Sequence, residues 1–327
     1  MRETVWVRVS DRGQAGQRPA STQTQSGQRK IVSMPVEVSP ETAFAVLKAR
    51  QLSDIPWLIH GFSTRRGGFS HVYGGGALNL GFTRHDSRSA VEQNRFLFLR
   101  KLGAVTRKKP WPLVTLRQIH SDLIHCIDSP PEHQLTGDGL ITCMPEILLA
   151  VQTADCLPLI LVDLKRRAAG VFHAGWRGTL KRIAEKGVGE MRRCFSSEPR
   201  HIRAAIGPGI HSCCYEVGAE VREKFESQFA YAADLFREVK ESDPIREKYP
   251  LLFLSARPPG HGELPHRIFL DLVEANRRQL IDAGVFAKNI TASELCTACR
   301  PDLLFSHRAE KGTTGRMMGV AGIRKKR

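Results

Sequence analysis

The sequence predicts an α+β protein, a single-domain layered α/β sandwich built on a mixed sheet. Three observations lead there. Two short apolar runs rich in branched residues, Leu157–Val162 and Ala168–Phe172, flank a tight polar connection at residues 163–167 and read as a buried hairpin. Strand-like and helix-like segments mix along residues 39–323 without strict βαβ alternation. No repeat and no linker interrupts that span, so it reads as one domain.

The elements follow in order. Residues 1–38 stand apart: they are polar, rich in Gln, Ser, Gly and Arg, and poor in acids, as in DRGQAGQRPASTQTQSGQRK. That composition predicts disorder. It also fits a transit peptide, or an extension upstream of a start at Met34. Ser39-Pro40-Glu41 reads as an N-cap with Pro at the first helical position, opening a short helix to about Gln51. Trp57–Phe62 reads as a strand, followed by a Gly-rich loop at residues 66–76. Ser89-Ala90-Val91-Glu92 reads as a capping box opening a helix to about Leu102. Strands follow at Leu113–Leu116, Leu123–Ile127, Gly139–Thr142 and Ile147–Gln152, before the hairpin. A helix with a basic face is predicted over Thr179–Cys194, a strand at Ile202–Ile206 and a helix at Ala219–Phe229. Residues 237–266 read as a weakly patterned insertion. A helix over Asp271–Ala283 has Asp271 as cap and Gly284 as stop. Strands at Ile290–Ser293, Leu304–His307 and Met317–Ala321 close the domain, and residues 324–327 form a basic tail.

The 49 Lys and Arg outnumber the 33 Asp and Glu, for a formal net charge of +16. Such a charge first suggests nucleic acid. The first 33 residues contribute +4 and residues 324–327 another four charges, which leaves about +8 on the body. A nucleic-acid partner is therefore disfavoured, and a surface facing phosphate or nucleotide fits as well. Eight cysteines in a chain of this size, with no signal-type apolar segment and no run of ~18 apolar residues, predict a reduced, cytoplasmic protein without a membrane partner. The oligomeric state, monomer or dimer, is left open.

The candidate chemistry gathers at the hairpin. Cys156 sits just before its first strand and His173 just after its second run, so pairing brings them to one end of the sheet. With His120, at another predicted strand edge, they offer one sulfur and two imidazole nitrogens, which suits a three-ligand zinc site with an open fourth position. A buried thiol beside two hydrogen-bonded histidines is the plainer alternative, and spacing alone does not separate the two. Gly175-Trp176-Arg177-Gly178 leads from strand to helix, so Arg177 and the backbone N–H groups could hold an anion. Arg65, at a predicted strand end, is a second anion candidate. Asp138 and Asp155 are the carboxylates nearest in sequence, either to orient a ligand His or to move a proton. His261-Gly262-Glu263 with Cys296-Thr297-Ala298-Cys299 imitates the zinc deaminase signature, but Leu295 stands where that signature has Pro. Multicopper chemistry needs paired His-x-His runs, and the twelve histidines contain none; copper is disfavoured.

These segments together resemble one family. HGFSTRRGGFS (60–70), ALNLG (77–81), VEQNR (91–95), RQIHSD (117–122), DGLIT (138–142), TADCLPL (153–159), HAGWRG (173–178), IGPGIHSCCYEVG (206–218), LCT (295–297) and FSHR…TGR (305–316) occur in the order of the PgeF/YfiH family. That family has been labelled multicopper polyphenol oxidase (laccase), peptidoglycan editing factor and purine nucleoside phosphorylase. The resemblance covers about residues 56–322. It implies a single layered α/β domain and one zinc ion held by His120, Cys156 and His173. It also implies phosphorolysis of adenosine, inosine and S-methyl-5′-thioadenosine, with adenosine deamination, so the partners would be purine nucleosides and phosphate. On that reading Cys156, His173 and Asp138 are catalytic, with Asp138 as the proton donor, Arg65 and Arg177 bind phosphate, and the 66–76 loop is a lid. Two alternatives remain beside it: a Cys156-dependent hydrolase editing peptidoglycan precursors such as UDP-MurNAc-amino acids, and a non-catalytic nucleotide- or RNA-binding protein. The chain departs from the family at His307, where members commonly carry Tyr.

Overall fold

The computed structural model describes residues 36–37, 45–107, 109–240 and 266–326. Two six-stranded mixed sheets face each other, with helices on both outer sides. The first sheet runs in the order Val36–Glu37, Val46–Leu47, Leu58–Ser63, Met317–Ile323, Leu148–Thr153 and Leu113–Val114; its last pair is parallel and the rest antiparallel. The second runs Ile290–Ala292, Ile202–Ile206, Leu157–Asp163, Ala168–Ala174, Gly139–Thr142 and Ile124–Cys126, antiparallel inside and parallel at both outer pairs. The expected sandwich is thus present, with two facing mixed sheets where the sequence suggested one, beside a three-stranded and a two-stranded antiparallel sheet among the described residues.

Strand periodicity explains the layering. Ile160 and Val162 face inward and meet Phe62, Leu149 and Val151 of the other sheet. Leu157, Leu159 and Leu161 point the other way, onto Ile183, Val188 and Met191 of the helix Ile183–Phe195 and onto Leu272 and Ala275 of the helix Leu272–Asp282. Leu148 and Ala150 likewise face outward, against Phe98 and Leu99 of the helix Arg88–Leu102. Both faces of each central strand are therefore buried, and burying a Leu or Ile contributes roughly 1.5–3 kcal/mol.

Several expectations need correction. The helix expected from Ser39 to Gln51 falls partly outside the described residues. Where it is described, Val46–Leu47 is a strand paired with Phe62 and Ser63, and the helix is only Arg50–Ser53. Burial of Val46 and Leu47 against the sheet overrides the local helical pattern. Val36–Glu37 pairs with Val46–Leu47, so the sheet begins inside the stretch expected to precede the domain. The cap of the helix Arg88–Leu102 is Ser87, whose Oγ accepts from Ala90 N at 3.2 Å, in place of Ser89. The expected helix Thr179–Cys194 is two: Trp176–Leu180 and Ile183–Phe195, separated where Arg182 takes a left-handed φ of 63°. Leu304–His307 is a turn and not a strand, because Ser306 N donates to Glu310 Oε2 and Arg308 N to Asp155 Oδ2. The helix capped by Asp271 forms as expected, with Asp271 Oδ1 accepting from Glu274 N at 2.8 Å. Among the described residues no helix is long and apolar enough to cross a membrane.

Candidate active site and metal centre

The hairpin register fixes the site. Pro158 lies opposite His173 and Leu157 opposite Ala174, which sets Cys156 against the turn at Gly175. On the other side of the His173 strand, Gly139 pairs with Phe172, so Asp138 arrives at the same end of the sheet. His173 N donates to Asp138 O at 2.8 Å and seals that junction. Three neighbouring strands thus deliver Cys156, His173 and Asp138 to one edge.

His120 reaches the edge by another route. The Asp138 carboxylate, fully buried, accepts backbone N–H bonds from Ile119 (3.2 Å), His120 (3.1 Å) and Ser121 (2.6 Å), and a hydroxyl bond from Ser121 (2.7 Å). The loop wraps around this one side chain, and His120 is held at φ 57° by it. Asp155, next to Cys156, is also left-handed at φ 91°. Its carboxylate accepts from Thr297 Oγ1 (2.6 Å), Ser306 Oγ (2.7 Å) and Arg308 N (2.6 Å). Such backbone costs of order 1 kcal/mol apiece and persists only where surrounding bonds hold it. Two of them flank the same thiol.

The donor atoms of His120, Cys156 and His173 lie within 4.8 Å of one another, and Cys156 Sγ stands 3.9 Å from His120 Nε2. The two imidazole rings meet edge to face, with centroids 4.9 Å apart. Asp138 Oδ1 accepts from His173 Nδ1 at 2.8 Å, which leaves His173 Nε2 for an ion. Gly175 makes the room: a Cβ there would fall 2.8 Å from Cys156 Sγ and 3.2 Å from His120 Cδ2. One sulfur, two nitrogens, a carboxylate behind one imidazole and space at the sulfur together fit a divalent metal ion with a position left open.

The electrostatics agree. Burial pushes the Cys156 thiol up, but the charge of His173 and hydrogen bonds from His120 and His173 outweigh it and bring it down to about 6. Burial likewise pushes His173 down, while the Cys156 thiolate and the Asp138 carboxylate bring it up to about 9. Both histidines thus favour the thiolate of Cys156, the form that binds a metal. Asp138 is held down at about 2, burial being overcome by its bonds to His173 and Ser121.

The trio opens into a cavity of about 460 Å³, which Gln118, Gln152, Trp176, Arg177, Tyr215, His307, Arg308 and Arg316 also line. Among the described residues Asp155 is the one carboxylate in its lining and is already satisfied, and three arginines stand in the wall. The Arg177 guanidinium rests 4.4 Å from the Trp176 ring centroid. Gln118 clamps the floor: its amide donates to Gln152 O at 2.8 Å and accepts from Gln152 N at 2.7 Å. A neighbouring cavity of about 510 Å³ shares Gln152 and Arg316 and continues past Phe82 and His85.

Arg177 therefore stands where the sequence put it, while Arg65 does not. Arg65 lines a different cavity, about 760 Å³, with the Gly-rich loop, and it is paired with Glu310 at 2.8 Å. No residue of the 66–76 loop lines the Cys156 cavity, so the loop is no lid over it in this conformation. Asp138 is enclosed and absent from the cavity wall, which removes it as a donor to substrate. His261 and Glu263 lie outside the described residues, and their supposed partners Cys296 and Cys299 lie beside Cys213 and Cys214. Sequence reasoning gave no role to Tyr215, Arg308 and Arg316. Each sits within a motif, CCYEVG, FSHR or TGR, and a charged or aromatic side chain inside such a motif was the available signal.

A family model described as "Multi-copper polyphenol oxidoreductase laccase" matches residues 59–324. A purine nucleoside phosphorylase of Deinococcus radiodurans is 35% identical over 265 residues, 81% of this chain and 88% of that protein. "Adenosine deaminase RL5", from an unknown prokaryotic organism, is 34% identical over 267 residues, 79% of this chain and 91% of that protein. The crystal structure of the Bacillus licheniformis hypothetical protein YfiH superposes with a TM-score of 0.73 at 31% identity, covering 89% of this chain and 99% of its own. The chain belongs to the laccase-like YfiH family, the multi-copper polyphenol oxidoreductase laccase family of that model.

Proposed function

We propose that this protein is a zinc-dependent purine nucleoside phosphorylase that also deaminates adenosine. The observation that carries this reading is the opening of the His120, Cys156 and His173 trio into a cavity walled by Arg177, Arg308 and Arg316. The names of its relatives, purine nucleoside phosphorylase and adenosine deaminase, supply the reaction classes.

His120, Cys156 and His173 would hold the zinc ion, which would supply Lewis acidity near neutral pH. The remaining work falls to the chain. Asp138 fixes the tautomer and plane of His173 through Nδ1 and so acts as a positioning residue. The three arginines neutralise and orient phosphate for attack at C1′ of the nucleoside. Trp176 and Tyr215 offer flat surfaces to a purine. His307, the lining imidazole not needed for the metal, would give a proton to the departing base. A multicopper centre needs many imidazoles, and neither metal-competent cluster among the described residues holds more than two histidines.

One observation favours a second reading. Asp138, His173 and Cys156 also form a carboxylate–imidazole–thiolate series, the arrangement of a cysteine hydrolase. The two readings part on metal. Purine release from inosine and adenosine, measured with and without phosphate beside the metal content of the same sample, decides. Phosphate-dependent release that disappears on chelation and returns with zinc supports the phosphorylase. Metal-free protein that hydrolyses an amide substrate and is blocked by thiol alkylation overturns it.

A further inference from the structure

A second cluster lies apart from the catalytic trio. The sulfurs of Cys213, Cys214, Cys296 and Cys299 all lie within 4.8 Å of one another. Cys299 Sγ is 3.5 Å from Cys213 Sγ and 3.3 Å from Cys214 Sγ, and none of the four is in a disulfide. The topology explains the convergence. Ile202–Ile206 and Ile290–Ala292 are parallel neighbours, so the loops that follow them leave the sheet side by side. Ser293 N donates to Ile206 O at 2.9 Å and Thr297 N to Gly209 O at 3.0 Å, stitching the loops together. Each loop then presents two thiols, Cys213-Cys214 on one and Cys296-Thr297-Ala298-Cys299 on the other.

Four thiols in one place need a reason. Uncharged, they form a poor hydrogen-bonding set; ionised, they repel unless a cation lies between them. Zinc–thiolate bonds of about 2.3 Å set tetrahedral sulfurs about 3.8 Å apart, which is the scale of this cluster. The backbone also prepares the sulfur of Cys296. His211 N donates to it at 3.5 Å, and the N–H groups of Ala298 and Cys299, two and three residues on, face it as well. A Cys-x-x-Cys turn that aims its own N–H groups at the first sulfur stabilises a metal thiolate. Cys296 is buried, whereas Cys213 and Cys299 are exposed, so an ion has a route in.

We infer that Cys213, Cys214, Cys296 and Cys299 form a second metal site, a closed tetrathiolate for zinc or a similarly soft divalent ion, with a structural role. Its place in the fold gives that role. Thr297, inside the Cys-x-x-Cys turn, donates to Asp155 Oδ1, and Asp155 precedes the catalytic thiol. Tyr215 follows Cys214 and lines the catalytic cavity. An ion here would tie together the two loops that brace Asp155 and that wall.

The test is metal stoichiometry on the full chain purified under reductant, by mass spectrometry of the elements. Wild type is expected to hold two zinc ions per chain. Cys156→Ser, which removes the catalytic sulfur, should keep one, and Cys213→Ser with Cys299→Ser should also keep one. Cobalt(II) added to metal-stripped Cys156→Ser should give the intense sulfur-to-cobalt charge-transfer absorption of several thiolates on one ion. Because that titration leaves all four cysteines in place, it does not depend on whether the double variant folds. A folded Cys156→Ser chain that binds neither zinc nor cobalt overturns the proposal. So does intact-mass evidence that the four cysteines form two disulfides in reductant-free protein that holds no second ion. Loss of phosphorolysis with both ions retained would count against the proposed function alone.

Discussion

Asp138 holds His173 by its Nδ1 at 2.8 Å and, with the same carboxylate, gathers the N–H groups of three successive residues around His120. One buried side chain thus sets the positions of two metal-competent imidazoles that lie 53 residues apart in sequence. Asp138→Asn keeps the size but replaces one acceptor oxygen with a donor that faces N–H groups. Zinc affinity at the trio is expected to fall about 10- to 100-fold, read by competition with a chromophoric chelator. Unchanged affinity in a folded variant would refute the positioning role.

Gly175 separates space from backbone freedom. Its φ of −82° and ψ of 176° suit any residue, so the glycine is not needed for the chain path. A methyl group there meets Cys156 Sγ at 2.8 Å and His120 Cδ2 at 3.2 Å. Gly175→Ala should cost roughly 1–3 kcal/mol of stability and leave a cooperative fold whose zinc occupancy and turnover at the trio are at least about tenfold lower. Full zinc occupancy and turnover in Gly175→Ala would mean that the donors sit elsewhere than the structure shows.

Cys156 and His173 were legible in the sequence because they flank two runs that had to pair, and pairing of that hairpin places Pro158 against His173. His120 was legible only as a histidine at a predicted strand edge, since the Asp138 carboxylate sets its position across the fold. The second sheet was hidden for a related reason. Strands buried on both faces, such as Leu157–Asp163, read as continuous apolar runs and do not announce which residues face which layer. Leu304–His307 has strand-like composition, yet the polar groups of Ser306 and of the next residue, Arg308, go to Glu310 and Asp155, partners that only the tertiary structure supplies.

The two anion candidates should now behave differently. Arg177 faces the cavity, and Arg177→Ala should raise KM for phosphate about tenfold or more, the loss of one charge-assisted contact, with zinc content unchanged. Arg65 is committed to Glu310 and to the carbonyl oxygens of Pro301 and Tyr73. Arg65→Ala should lower stability by about 2 kcal/mol and move KM for phosphate by less than about threefold. Phosphorolysis kinetics with denaturant unfolding of both variants checks this. A larger phosphate effect in Arg65→Ala than in Arg177→Ala would reverse the assignment.

His60 predicts a pH dependence of its own. It lies buried in the strand Leu58–Ser63, and its Nε2 has no hydrogen-bond partner. Burial, reinforced by the charge of Lys48 and opposed only by a hydrogen bond with the Ala49 backbone, brings it from the usual 6.5 down to about 4. The folded state therefore keeps His60 neutral where the unfolded chain protonates. Between about pH 6.5 and 4 the unfolded state binds the extra proton, so stability falls as the pH falls, by about 1.4 kcal/mol per pH unit at most. This contribution is fully present above pH 6.5. In His60→Leu it is absent at every pH, while other titrating groups are common to both proteins and cancel in the difference. The stability of wild type relative to His60→Leu, from urea unfolding, should accordingly drop by about 1.5 kcal/mol between pH 6.5 and 5. A difference that stays constant over that range would show that His60 is solvated or paired in the folded protein.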